Sequence, residues 1–241
     1  MSSTNELDAR LLTCAGLVRK NSVVADIGSD HAYLPIYLVK NNICEKAIAS
    51  DINEGPVKRA KMNIAISGLS QKITALRADG LDEAASFLPD DIVIAGMGGE
   101  LICRILDRSQ YIKNNNVRLI LQPMTMCEVV RNYLAEKGFK IIDERLCTAE
   151  NKSYQVICAE YDGTPRKFTS EVLTLGEVNI ERIKSGNGTA DDFLCIAHIL
   201  DGANRRIEGK RKSKNSPSLS VEDDLSLQKQ CIELLKYKEA E

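Results

Sequence analysis

Residues 23–35 read VVADIGSDHAYLP, an apolar run that breaks into a turn carrying two carboxylates, one glycine and a histidine. A glycine placed directly after a strand allows a ligand to approach the backbone closely, and dinucleotide-binding turns usually carry three. Here Gly28 stands alone, and Asp30 and Tyr33 occupy the places of the second and third glycines. A carboxylate within about 4–6 Å of a diphosphate in a partly desolvated site would repel it by several kcal/mol. NAD, FAD and nucleoside triphosphates therefore suit this turn poorly. No G-x-x-x-x-G-K-[ST] loop is present to hold a triphosphate elsewhere.

Three further segments end in the same kind of residue. KAIASD closes on Asp51, followed by Ile52; KITALRADG closes on Asp79 and Gly80; DIVIAGMGG closes on Gly96, Met97, Gly98 and Gly99. Taken singly, each has a plain structural reading as a turn, a helix N-cap or a close-packed loop. Taken together, four such features at strand carboxyl ends fall on one rim of a sheet, where open α/β sheets bind ligands. The ligand that suits them has an adenosine half and a cationic second half. S-adenosylmethionine meets this description, with a sulfonium and an ammonium and no phosphate. Asp26 and Asp30 are placed to receive the ammonium, Asp51 the ribose hydroxyls and Asp79 the adenine amino group.

Five apolar runs (23–27, 46–51, 72–79, 91–96 and 117–123) alternate with helical patterns such as NEGPVKRAKMNIAISGL and TMCEVVRNYLAEKGF. Strands alternating with helices predict parallel βαβ crossovers. Pro123, which has no N–H to donate, is expected to close the fifth strand. FKIIDERLC and KSYQVICAEY then follow with only TAENK between them, too short for a helix, so they must pair antiparallel. The predicted fold is α/β: a doubly wound, mostly parallel, seven-stranded Rossmann-like sheet ending in an antiparallel hairpin.

Composition shifts at DGTPRKFTS, which divides a sheet domain (1–162) from a helical one (163–241). SEVLTLGEVNIERIK is interrupted at Gly176. TADDFLCIAHILDGANRRIEGKRK has a capping threonine at 189, acids in its first turn and cations in its last, all helix signals. NSPSLS reads as a turn. In the final segment Ser220 and Asp223 suggest a capping box, and Leu225, Gln228, Ile232 and Leu235 form a stripe that predicts an antiparallel helical hairpin or coiled coil.

The 241 residues carry a net charge of −2, with 44% hydrophobic and 27% charged residues. Any polyanion binding must come from a local patch, and ANRRIEGKRKSK supplies one in Arg205, Arg206, Lys210, Arg211, Lys212 and Lys214. A solvated helix end stabilised by the macrodipole is the plain alternative for this stretch. Eight scattered cysteines without a C-x-x-C pair read as reduced core residues of a cytoplasmic protein, and two distant histidines offer no metal site. MSSTNELDAR has no apolar signal-type stretch, and no membrane span is expected.

DIGSDHAYLP, IAGMGG and LILQP together resemble the bacterial tRNA (adenine-22-N1)-methyltransferases, which are class I S-adenosylmethionine enzymes with a helical C-terminal domain. The resemblance spans nearly the whole chain and is strongest from Val23 to Pro123. It departs at Met124–Thr125, where the family often carries an asparagine. It implies that Asp26, Gly28, Asp30, Asp51, Ile52, Asp79, Gly80 and Gly96 line the cofactor, and that Asp30, His31 and Met97 border the methyl-transfer centre. Gly98, Gly99, Arg205, Arg206, Lys210, Arg211 and Lys212 would face the tRNA, and the protein would act as a monomer or weak dimer. The absence of an N/D-P-P-Y motif suits attack by a ring nitrogen. A small-molecule methyltransferase with a dimerising tail, a non-catalytic binding module and, least compatible, an NAD oxidoreductase are the competing readings.

Overall fold

The computed structural model describes residues 7–114, 116–212 and 221–240. Seven strands form one sheet: β1 (Ser22–Ile27), β2 (Cys44–Asp51), β3 (Ile73–Arg77), β4 (Asp91–Gly98), β5 (Arg118–Thr125), β6 (Phe139–Ala149) and β7 (Lys152–Tyr161). Their order is β3-β2-β1-β4-β5-β7-β6, parallel from β3 to β5 and antiparallel for the last two pairings. Strands buried on both faces read as continuous apolar runs. Val24, Val93, Ile120 and Val156 accordingly enter one core layer, whereas Ala25, Ile92, Leu119 and Ile157 enter the layer on the opposite face.

Helices α1 (Ala9–Ala15), α2 (Tyr33–Lys40) and α3 (Glu54–Ile66) cover the first face. Helix α1 has no counterpart in the sequence reading; it is seven residues long and is capped by Asp8, whose side chain accepts from the Leu11 N–H. The short α4 (Asp82–Ala85), α5 (Gly99–Asp107) and α6 (Cys127–Glu136) cover the second face.

Two strand boundaries differ from expectation. β5 runs through Pro123 to Thr125 because β4 bulges at Gly96 (φ +82°), and the register skips from Ala95↔Gln122 to Met97↔Pro123. The Gly96 N–H goes to Gln122 Oε1 at 3.0 Å, and Pro123, which has no N–H to give a ladder, sits beside the bulge. The β6–β7 connection is only Glu150–Asn151. Both residues have positive φ, as a two-residue turn matched to strand twist requires.

The remaining helices are α7 (Ser170–Leu175), α8 (Glu177–Lys184), α9 (Ala190–Lys212) and α10 (Glu222–Leu235). Gly176 (φ +86°) separates α7 from α8; a side chain there would come within 2.6 Å of Glu144 Cδ. Thr189 and Asp192 cap α9 reciprocally. The pairings Asn204–Gln228, Arg206–Asp224 and Lys210–Asp224 run in opposite senses along α9 and α10, so the two helices are antiparallel. Gln228 faces α9 through Asn204, and Leu235 is partly buried against the helical core, but Leu225 and Ile232 are exposed, and the buried face is Asp224, Leu227, Cys231 and Leu234. The NSPSLS turn, the Ser220 cap and Lys214 lie outside the described residues. A third core joins α7–α10 to Leu146 of β6.

Among the described residues all eight cysteines are free thiols, six of them buried. No metal-ligand cluster occurs among them, and no helix is long and apolar enough to cross a membrane.

Candidate active site

The sheet order reverses at β1, which pairs with β2 on one side and β4 on the other. The crevice at such a switch point is where open α/β sheets take ligands. Two cavities open there, and Gly28 lines both. The larger, about 630 Å³, is bounded by Asp51, Ile52, Ala78, Asp79, Gly80 and Met97, with Leu101, Cys103 and Arg104 of α5 behind them. Burial pushes the Cys103 thiol up to about 11, so it is a wall of the cavity and not a nucleophile. The smaller, about 250 Å³, holds Asp26, Ser29, Asp30, His31, Arg10 and Gly96.

Gly28 is the seam between them. Its φ of +80° is open to glycine and strained for other residues, and a side chain there would collide with Met97 Cε, which lies over it. The N–H groups of Gly28 and Ser29 both donate to the Ser50 carbonyl at 2.8 Å, which ties the turn to the end of β2.

The four acids differ in state. Asp26 is 8% exposed, and burial pushes its carboxyl up to about 6 against the opposing influence of the Ser29 hydrogen bond and the Arg10 charge. Asp51 accepts from the Asn53 N–H at 2.7 Å, an Asx turn that aims the carboxylate along the end of β2. Asp79 is held by Arg108 through two hydrogen bonds of 3.1 and 3.2 Å. Asp30 is half exposed and bonded to Arg59, whose Nε lies 2.9 Å from Oδ1, while its other oxygen lies 3.4 Å from His31 Nε2. The expectation that Asp30 repels phosphate with a bare charge is therefore corrected: Arg59 compensates that charge, and Asp26 is the carboxylate buried at the cavity wall. His31 is further fixed by stacking on Tyr33 at 4.9 Å.

Arg10 and Gln122 escape sequence reasoning altogether. Arg10 Nη1 donates to Gln122 Oε1 at 2.8 Å, and the same oxygen accepts from the bulged Gly96 N–H. A lone arginine in an amphipathic N-terminal segment gives no signal of this contact across the chain.

The residues expected to face a substrate separate into groups. Gly98 lies beside Thr125, with open approach, whereas Gly99 is buried where a side chain would meet the Thr125 carbonyl at 3.0 Å, so its role is close packing of α5 against β5. Arg206 and Lys210 are committed to Asp224, and Lys212 lies 3.7 Å from Glu208. Arg205 and Arg211 are exposed without an ion pair among the described residues.

The two compartments fit the expected cofactor. An adenosine would occupy the larger, with Asp51 and Asp79 as acceptors, and a cationic amino-acid end the smaller, beside Asp26.

A methyltransferase-domain profile matches residues 7–157. The tRNA (adenine(22)-N(1))-methyltransferase of Bacillus subtilis (strain 168) is 40% identical over 165 residues, which is 66% of this chain and 69% of that protein. The crystal structure of the B. subtilis m1A22 tRNA methyltransferase TrmK superposes with a TM-score of 0.80 at 30% identity, covering 96% of this chain and 100% of that one. A Streptococcus pneumoniae protein solved in complex with S-adenosyl-L-methionine gives 0.78 at 28% identity, over 95% of this chain and 100% of that one.

Proposed function

The chain belongs to the tRNA (adenine(22)-N(1))-methyltransferase family, and from that premise we propose that it methylates N1 of adenine 22 in tRNA with S-adenosylmethionine as methyl donor. The observation that carries this reading is the pair of cavities meeting at Gly28, with a buried carboxylate in one and two strand-end carboxylates in the other.

When bound, the cofactor supplies an electrophilic methyl group that passes to the base and leaves S-adenosylhomocysteine. Adenine N1 already carries an in-plane lone pair, so the residues here need to align it and exclude water more than to remove a proton. Asp26 binds the ammonium, Asp51 the ribose hydroxyls and Asp79 the adenine edge. Gly28, Gly80 and Gly96 allow close backbone approach, and Ile52 walls the larger compartment. Met97 closes the seam over Gly28 and borders the transferring methyl. His31, oriented by Asp30 and Tyr33, lines the substrate side; Asp30, already paired with Arg59, serves as an orienting group and not as a general base.

Residues 1–162 hold the cofactor, and residues 163–241 contact the tRNA through Arg205 and Arg211, in a cytoplasmic monomer or weak dimer. An adenine within folded tRNA must be extruded, at a cost of about a few kcal/mol that phosphate contacts offset. Incubation with labelled S-adenosylmethionine and unmodified tRNA transcript, followed by nucleoside mapping, tests the reading. Label at N1 of adenine 22 is expected; no incorporation, or label at another nucleoside, overturns it.

A further inference from the structure

A third cavity, about 650 Å³, shares no lining residue with the cofactor compartments and lies between Met124–Thr125 at the end of β5, the start of β7 and helix α9. We propose that this groove receives the extruded adenosine of the substrate, with Tyr154 stacking the base and Lys152, His198 and Arg205 holding the flanking phosphodiesters. The proposal rests on the methyl-transfer reading above and adds to it the path of the RNA.

Position is the first argument. Gly98, at the end of the strand that bounds the cofactor cavity, pairs in register with Thr125, which lines the groove. Arg10 links the two sites from the other side: it lines the Asp26 compartment, and its guanidinium lies 6.0 Å from the Tyr154 ring centroid. A base lying against Tyr154 is thus next to the compartment where the methyl donor's charged end is expected.

Chemistry is the second. An aromatic ring and cations lining one groove are the combination by which proteins hold unpaired nucleotides, the ring stacking a base and the cations tracking the backbone. Lys152 and Arg205 make no ion pair among the described residues and outnumber the one acid in the groove, Asp201. His198 Nδ1 lies 2.5 Å from Ser153 Oγ, which fixes the ring and leaves Nε2 without a bond among the described residues. Tyr154, half-buried, is the aromatic side chain lining the groove, and its hydroxyl makes no hydrogen bond among the described residues.

The test uses the full-length protein, unmodified tRNA transcript and S-adenosylhomocysteine. Lys152→Ala/Arg205→Ala should weaken transcript binding about tenfold or more and lower the log–log salt slope by about 1–2, with S-adenosylhomocysteine affinity unchanged. Tyr154→Leu should lower kcat/KM about tenfold or more, whereas Tyr154→Phe should retain it, since stacking needs the ring and not the hydroxyl. Wild-type transcript affinity and slope in the double variant would overturn the proposal. Equal loss in the Phe and Leu variants, or no loss in Leu, would overturn the stacking role. Retained S-adenosylhomocysteine binding in every variant separates a groove effect from misfolding. If the wild-type protein methylates tRNA while these variants match it, the groove alone is wrong; if the wild type neither binds nor methylates tRNA, the activity and the groove fall together.

Discussion

Arg131 Nε lies 2.6 Å from Glu144 Oε1, and both side chains are wholly cut off from solvent. The pair joins α6 to β6 and extends beyond them. Arg131 also donates to the carbonyls of Leu173 and Thr174 and to Gln155, while the second Glu144 oxygen accepts from the Val178 N–H. Each charge thus has several partners, and the helices after the sheet are bonded to it through a dry ionic joint. Removing one partner leaves the other charge buried and uncompensated. Arg131→Met and Glu144→Leu should each cost about 3–5 kcal/mol, and the double variant less than their sum, as read by urea denaturation.

Asp26 couples stability to pH in the unusual direction for a carboxylate. Its folded-state pKa is raised to about 6, so the stability it contributes is complete below the ordinary value near 3.8 and is lost as the pH rises through 6. Asp26→Asn should therefore stabilise the ligand-free protein on the order of 2–3 kcal/mol at pH 8 and leave it unchanged at pH 3.5. The same substitution should abolish the rise in S-adenosylhomocysteine affinity expected between pH 5 and 7.5 in the wild type. Thermal melts and calorimetry across that range check both halves, and a flat wild-type binding profile would count against Asp26 as the ammonium's partner.

Asp51 and Asp79 should not respond alike. Asp51 has one oxygen bonded to a backbone N–H, whereas Asp79 is bonded by both oxygens to Arg108 at an exposed site. Asp51→Ala should weaken S-adenosylhomocysteine binding about 10–100-fold, in line with the loss of a charge-assisted hydrogen bond at about 1.5–3 kcal/mol. Asp79→Ala should cost several-fold less, and calorimetry of the two variants gives the ratio directly.

Charge reversals along the basic stretch should divide by partner. Burial raises the Asp224 carboxyl, but Lys210 and Arg206 together hold it below the ordinary range. Its contribution is present above the unfolded pKa and is lost as pH falls through the lowered one. Arg206→Glu should lower Tm, because it places a second acid against Asp224. Arg211→Glu should leave stability within about 0.5 kcal/mol and lower the salt dependence of tRNA binding. A melt and a salt titration on each variant distinguish the two residues.

Much of this architecture is legible in the chain because the parallel strands are apolar on both faces and end in turn residues. The strand-end acids Asp26, Asp51 and Asp79 stand out for the same reason. What stays hidden depends on distant pairing. Arg10 acquires its role from Gln122, 112 positions away. Pro123 reads as a strand terminator until Gly96 bulges opposite it. Around LSLQKQCIELL two helical registers one residue apart both present an apolar stripe, and Asp224 breaks the pattern of the correct one. Its burial makes sense only once Arg206 and Lys210 stand against it. Asp30 looked like the carboxylate nearest the ligand for a similar reason, since nothing local announces Arg59.

The sheet order β5-β7-β6 also constrains how the molecule is built. β6 leaves the ribosome before β7, yet it holds the sheet's edge and has no partner until β7 exists. The hairpin closes at Glu150–Asn151, and the pairing of β7 with β5 brings Tyr154 and Gln155 beside Arg10 and Arg131. Without β7, the β5 flank of the sheet is an open edge, of the kind prone to pairing with other chains.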